Sequence, residues 1–248
     1  MVDTHCHLLP GLDDGPRTTG QAVDLARELL QAGVRSVLCT PHYSRQWATP
    51  HPVAVAAHAK LRGALEGARV DLETSVAAEV STAFAVTASL EDLAERRVGR
   101  YVVVEIYADT PAPFFATVID RLAEVDLLPV FAHPELARSI ERRPEVVDDA
   151  RARGALIQVL APGIVGFWGP AVAAHAWDLL EADRVDLVAS DAHGPRRPAR
   201  HLARAAEMMA QRIGPAAVED LTETRPAALI RSLSRDDSYV VAPPTSSS

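Results

Sequence analysis

Seven short apolar runs, separated by longer segments with helical spacing, dominate this 248-residue chain. The runs are Met1–His7, Ser36–Pro41, Asp71–Glu79, Tyr101–Ile106, Pro129–His133, Leu156–Leu160 and Val185–Ser190. Several are dense in valine, isoleucine and leucine, as strands buried on both faces must be. Between them, Thr19–Gly33 places Ala22, Val23, Ala26, Leu29 and Leu30 on one stripe, with Gly33 as a stop. Pro113–Val125, Pro144–Gly154 and Ala171–Ala182 read the same way, with proline in or before the first turn. This alternation predicts an α/β fold with a parallel sheet, most simply closed into a barrel. The length suits one such domain, and no internal repeat or mid-chain linker divides it. The expected barrel covers residues 1–232. Residues 233–248 end in Ala-Pro-Pro-Thr-Ser-Ser-Ser and are expected to form a disordered tail.

The residues that close each run carry the chemistry. The first run ends in His5-Cys6-His7, the second in Thr40-Pro41-His42, the third at Glu79 and the fourth at Glu105. The fifth ends in His133-Pro134-Glu135 and the seventh in Ser190-Asp191-Ala192-His193. In a parallel barrel the carboxyl ends of all strands share one face. Six of the seven runs therefore deliver a histidine or a carboxylate to one place. One such residue alone reads as a hydrogen-bonded loop residue or an arginine partner. Burying so many together demands a counter-charge, which metal cations supply while accepting both imidazole and carboxylate. His5 and His7 lie two apart, so in a strand both rings face one side and Cys6 the other. Asp191 and His193 repeat that spacing. Asp14, in the loop Pro10-Gly11-Leu12-Asp13-Asp14-Gly15-Pro16, reads equally well as a turn or capping residue. Counting Asp14, nine candidates exceed the needs of one ion and suit two or three with bridging carboxylates. Mixed ligation favours Mn²⁺, Fe or Zn²⁺ over Ca²⁺.

Composition narrows the partners. The net charge of −8 disfavours a nucleic-acid groove. Two cysteines, Cys6 and Cys39, are too few for a disulfide scaffold and imply a reducing, cytoplasmic setting. No signal-like segment precedes the first motif, and no apolar run is long enough for membrane insertion. The arginine-rich segments Arg138–Arg153 and Arg196–Arg212 read as solvated amphipathic helix faces.

These motifs together resemble the polymerase-and-histidinol-phosphatase (PHP) superfamily over roughly residues 2–232. The elements are Asp3-Thr4-His5-Cys6-His7, Leu12-Asp13-Asp14-Gly15, Thr40-Pro41-His42, Glu79, Glu105, Ala132-His133-Pro134-Glu135 and Ala189-Ser190-Asp191-Ala192-His193. The stretch His7–Pro16, Gln158-Val159 and Gly163–Gly169 are similar to its CpsB/YwqE branch, manganese-dependent bacterial protein-tyrosine phosphatases linked to capsular polysaccharide control. The resemblance implies a distorted seven-stranded TIM-like barrel and a trinuclear site. Its implied ligands are His5, His7, Asp14, His42, Glu79, Glu105, His133, Asp191 and His193. It also implies Mn²⁺ as cofactor and a phosphotyrosine protein as partner, such as a bacterial tyrosine kinase of polysaccharide synthesis. Two features depart from the branch. Its usual His-Pro-Glu-Arg-Tyr is here His133-Pro134-Glu135-Leu136-Ala137-Arg138, and Pro198 takes the place of a later arginine. Arg138 and Arg197 are the expected substitutes for contacting phosphate.

The expected chemistry is phosphate-monoester hydrolysis by a metal-activated hydroxide, in line and without a phosphoenzyme. Aryl phosphates should be the easier substrates, since a phenol pKa of about 10 makes a good leaving group. The pair His5-Cys6 superficially matches a cysteine-phosphatase loop, but that loop's arginine position is Leu12, so Cys6→Ser should retain activity. Alternative readings are a histidinol-phosphate-type small-molecule phosphatase, a TatD-like metal-dependent nuclease and a non-catalytic regulatory scaffold. The sequence does not set the oligomeric state.

Overall fold

The computed structural model describes residues 1–231. The expected tail, and the last residue of the expected barrel domain, lie outside the described residues. Among the described residues nine strands form, all pairing in parallel: β1 (Val2–Cys6), β2 (Ser36–Cys39), β3 (His42–Tyr43), β4 (Glu73–Val76), β5 (Glu79–Val80), β6 (Tyr101–Glu105), β7 (Leu128–Ala132), β8 (Leu156–Leu160) and β9 (Leu187–Ala189). They make a three-stranded sheet, β1-β2-β4, and a six-stranded sheet, β3-β5-β6-β7-β8-β9.

The nine strands are the seven sequence runs with two of them broken. The run at Ser36–Pro41 breaks at Pro41, which has no N–H for the ladder, and resumes as β3. The run Asp71–Glu79 is two strands and not one, because Ala78 turns its N–H to the carbonyl of Arg96. Both bent strands pass from one sheet to the other, so the strands follow one another in ring order. The free edges, β1 and β9, meet at the top: Asp191 N–H donates to His5 O (2.9 Å) and His7 N–H to Ala192 O (3.0 Å). The distorted barrel is α/β, as expected.

Two apolar layers hold the ring. Outside it, helix Thr19–Gln31 buries Ala22, Val23, Leu25, Ala26 and Leu29, one position off the predicted stripe, since Leu30 is only partly covered. Thr18 caps it by accepting from Gln21 N–H, and Gly33 at φ +85 ends the turn after it. Alternation along β6 sends Val102 and Val104 outward, and Val103 and Glu105 inward. Inside, Leu38, Val103, Val130, Ala132 and Leu187 form a plug closed by Leu229 of helix Arg225–Arg231. Six of the seven runs thus climb from an apolar plug to an ionisable top, β8 being the exception.

Both arginine-rich helical expectations change. Arg138–Arg153 is two helices, Arg138–Arg142 and Glu145–Ala152. Arg143 precedes Pro144 and is forced out of the helical region (φ −141, ψ 71). In the second arginine-rich segment the helix begins only at Arg200, leaving Arg196 and Arg197 in a turn.

Candidate metal centre

All nine expected ligands meet at the carboxyl ends of the strands. Their nitrogen and oxygen atoms fall into four groups, each within 4.8 Å: His7-Asp14-His42-His193, His5-Glu79-His133, His5-His7-Asp191 and His42-Glu79-Glu105. His5, His7, His42 and Glu79 each belong to two groups, so the four are one continuous cluster. His5, His7, Glu79 and Asp191 are fully buried, whereas Asp14 is exposed at the mouth. Two ligands depend on unusual backbone: His133 (φ +63) and Asp191 (φ +50) are left-handed, and each sits where the chain leaves a strand. Such conformations persist only where the surroundings enforce them.

The ring orientations fit cations. His5 donates Nδ1–H to Gln158 Oε1 (2.8 Å), His7 to Asp13 Oδ2 (2.7 Å) and His193 to the backbone oxygen of Asp191 (2.8 Å). Each Nδ1 proton therefore faces outward, so that in the neutral ring each Nε2 lone pair faces the cluster. Gln158 is itself fixed by donating to Thr4 Oγ1 (2.8 Å). The Nε2 atoms of His5 and His7 are 3.4 Å apart, and both lie 3.2–3.4 Å from Glu79 Oε2. Both Glu79 oxygens, Asp191 Oδ1, His133 Nε2 and His193 Nε2 are buried without a well-formed hydrogen bond among the described residues. The last two lie 3.0 and 3.1 Å from carboxylate oxygens, but at the wrong angle. Lone pairs and carboxylates aimed at common points are what multivalent cations require, and orphaned buried polar atoms are otherwise costly. The donor set therefore fits a multinuclear metal site.

The carboxylates grip the rings' protons. For His7, burial opposes the charge, but Asp13 and Glu79 outweigh it and push the pKa up to about 9. The same contest, with Glu79 the main partner, lifts His133 to about 9 and His42 to about 11. Glu79 is held well below the carboxylate range by His5, His42 and His133 despite its burial. Glu105 moves the other way, raised by burial and by the charge of Glu79.

Sequence reasoning missed the supports. Asp13 takes His7 Nδ1–H, the backbone N–H of His42 (3.0 Å) and that of Gly15 (2.9 Å), and its pKa falls to about 2 as these partners outweigh burial. The loop bearing it presses so closely on the chain just past β1 that a Cβ at Gly15 would lie 2.4 Å from His7 O. Tyr107 donates to Glu105 Oε2. Trp47 stacks on His42 with centroids 4.8 Å apart, and Arg96 pins Trp47's loop by donating to Thr49 O (3.2 Å).

The two expected phosphate contacts differ. Arg197 lies at the cluster, donating Nη1–H to Asp191 Oδ2 (2.6 Å) and Nη2–H to Asp14 Oδ2 (3.2 Å). Arg138 is exposed at the start of helix Arg138–Arg142, with its backbone N–H on Ala108 O.

The family model for capsular polysaccharide synthesis, CpsB/CapC, matches residues 1–231. The chain belongs to the CpsB/CapC family. Tyrosine-protein phosphatase YwqE of Bacillus subtilis is 28% identical over 229 residues, spanning 90% of this chain and 89% of YwqE. Tyrosine-protein phosphatase CpsB of Streptococcus pneumoniae is 24% identical over 241 residues, 93% and 98% of the two chains. Among solved structures, a chain from the crystal structures of YwqE and CpsB, described as unique metal-dependent tyrosine phosphatases, superposes with TM-score 0.82 at 27% identity. It covers 94% of this chain and 95% of that one. A β-aspartyl dipeptidase from Fervidobacterium islandicum shares the fold alone, with TM-score 0.58 at 15% identity over 92% of this chain and 72% of its own. Among the described residues of this CpsB/CapC member, no helix is long and apolar enough to cross a membrane.

Proposed function

We propose that this chain is a manganese-dependent phosphotyrosine-protein phosphatase acting on a tyrosine kinase of polysaccharide synthesis in the cytoplasm. The observation that carries the proposal is the inward aim of the His5, His7 and His193 Nε2 lone pairs at Glu79, Asp191 and Asp14. The nine ligands would hold two or three ions. When bound, such ions lower the pKa of coordinated water and neutralise phosphate charge.

The chain's own residues do the rest. Glu79, reaching His5, His7, His42 and His133, holds four rings around one carboxylate. Gln158 and Asp13 keep the ring protons outward. Arg197 uses two of its five N–H bonds on Asp191 and Asp14, so it keeps donors for a phosphate oxygen entering from the mouth. Arg138, exposed five residues after His133 and with no ion pair among the described residues, is the second candidate contact. Trp47, partly exposed against His42, suits an aryl group at the entrance. Cys6 takes no part: it is fully buried, with its thiol toward Ala192 O, and burial raises its pKa well above the usual thiol value.

The test is turnover of a phosphotyrosyl peptide and of histidinol phosphate by purified protein supplied with Mn²⁺, before and after chelation. Peptide turnover that chelation abolishes supports the proposal. Preference for histidinol phosphate would replace it with the small-molecule alternative, and no turnover of either would end the phosphatase reading.

A further inference from the structure

Beside the cluster lies a cavity of about 420 Å³, walled by the ligands Asp14 and His193 together with Arg17, Gln21, Gly194 and Arg196. A tight turn aims its arginines. Arg197 N–H returns to Gly194 O (3.1 Å), and His193 N–H donates to Arg197 O (2.9 Å), with Pro195 at the position proline favours. Arg197 turns to the cluster, while its neighbour Arg196 lines the cavity. Arg17, which lines the same cavity, has its backbone N–H on Gln21 Oε1 (2.8 Å).

The charge here is unbalanced. Among the described residues, Arg17 and Arg196 have no ion pair and no side-chain hydrogen bond, although the chain carries a net charge of −8. The cavity's own acids are engaged elsewhere: Asp13 with His7 and Asp14 with Arg197 and His193. Two exposed arginines without a counter-charge therefore line an opening that adjoins the ligands Asp14 and His193.

We propose that this cavity is a specificity subsite for a carboxylate flanking the phosphotyrosine, so that the preferred substrate is an acidic phosphotyrosyl segment. The proposal rests on the phosphatase reading. A phosphate at the cluster places the neighbouring peptide residue at its rim, where Arg17 and Arg196 supply paired donors for a glutamate or aspartate.

The metal-loaded full chain is assayed with p-nitrophenyl phosphate and with two phosphotyrosyl peptides that differ only in glutamate or glutamine beside the phosphotyrosine. The glutamate peptide should have a kcat/KM about three- to tenfold higher at low salt. That ratio should fall to about one in R17Q/R196Q, and likewise in about 0.5 M salt. Equal rates for the two peptides, or a preference that survives the double substitution, would overturn the subsite. A matching rise in KM for all three substrates in the double variant would also overturn it, by showing that these arginines hold the scissile phosphate. Absence of turnover with every substrate, p-nitrophenyl phosphate included, would remove the phosphatase reading and the subsite with it.

Discussion

The floor and the mouth of the cluster are built differently. On the floor, His5, His7, Glu79 and Asp191 are fully buried, and Gln158 and Asp13 fix the two rings from behind. At the mouth, Asp14 is exposed, Arg197 ties it to Asp191, and Arg138, Arg17 and Arg196 stand in solvent. The floor has one arrangement open to it and suits the binding of ions. The mouth has spare donors and suits the choice of substrate. Leu136 and Pro198, the expected departures from the family pattern, lie outside the strands.

Substitution on the floor should do most damage. Glu79→Gln removes the carboxylate shared by four rings and should cost more than about 100-fold in turnover, with metal lost from the purified protein, as elemental analysis would show. If Glu79→Gln kept its metal and its rate, floor and mouth would not differ as described.

Removing a floor support comes next. Gln158→Ala and Asp13→Asn should each weaken metal affinity or activity about 10- to 100-fold while the protein stays folded, measured by metal titration and circular dichroism. Metal loading should also be pH-dependent. His7 and His133 at about 9 and His42 at about 11 are protonated at neutral pH in the ion-free protein, and an incoming cation must displace those protons. Loading should therefore release protons, and affinity should fall as pH drops from about 8 to about 6. Calorimetry in buffers of different ionisation enthalpy measures the release directly.

At the mouth, Arg197→Ala should lower kcat/KM about tenfold, and Arg138→Ala should raise KM by about threefold or less with kcat unchanged. A larger effect at Arg138 than at Arg197 would move the main phosphate contact from Arg197 to Arg138.

The floor was also the more legible part in the sequence. Ligands closing successive apolar runs, and the His5/His7 and Asp191/His193 spacing, follow from strand periodicity and barrel topology, which act over long distances in a regular way. The supports were not legible. Asp13 and Asp14 are adjacent acids in one loop, and only the folded loop, pressed on His7 at Gly15, decides which faces the ions. Gln158 sits in β8, the one run that ends without a ligand, and a neutral mid-strand amide gives no metal signal. The breaks at Pro41 and Ala78 were hidden because each bent strand resumes after only two residues, so the run reads as continuous. The arginines of the mouth were visible as charges, but a turn of four residues separates the direction of Arg196 from that of Arg197, and spacing alone does not predict it.

Anomalous diffraction at the manganese edge, from crystals grown with Mn²⁺, tests the central claim most directly. The account predicts two or three peaks enclosed by His5, His7, Asp14, His42, Glu79, Glu105, His133, Asp191 and His193. A map with no peak inside that ring, from protein that hydrolyses phosphotyrosyl peptide, would contradict it.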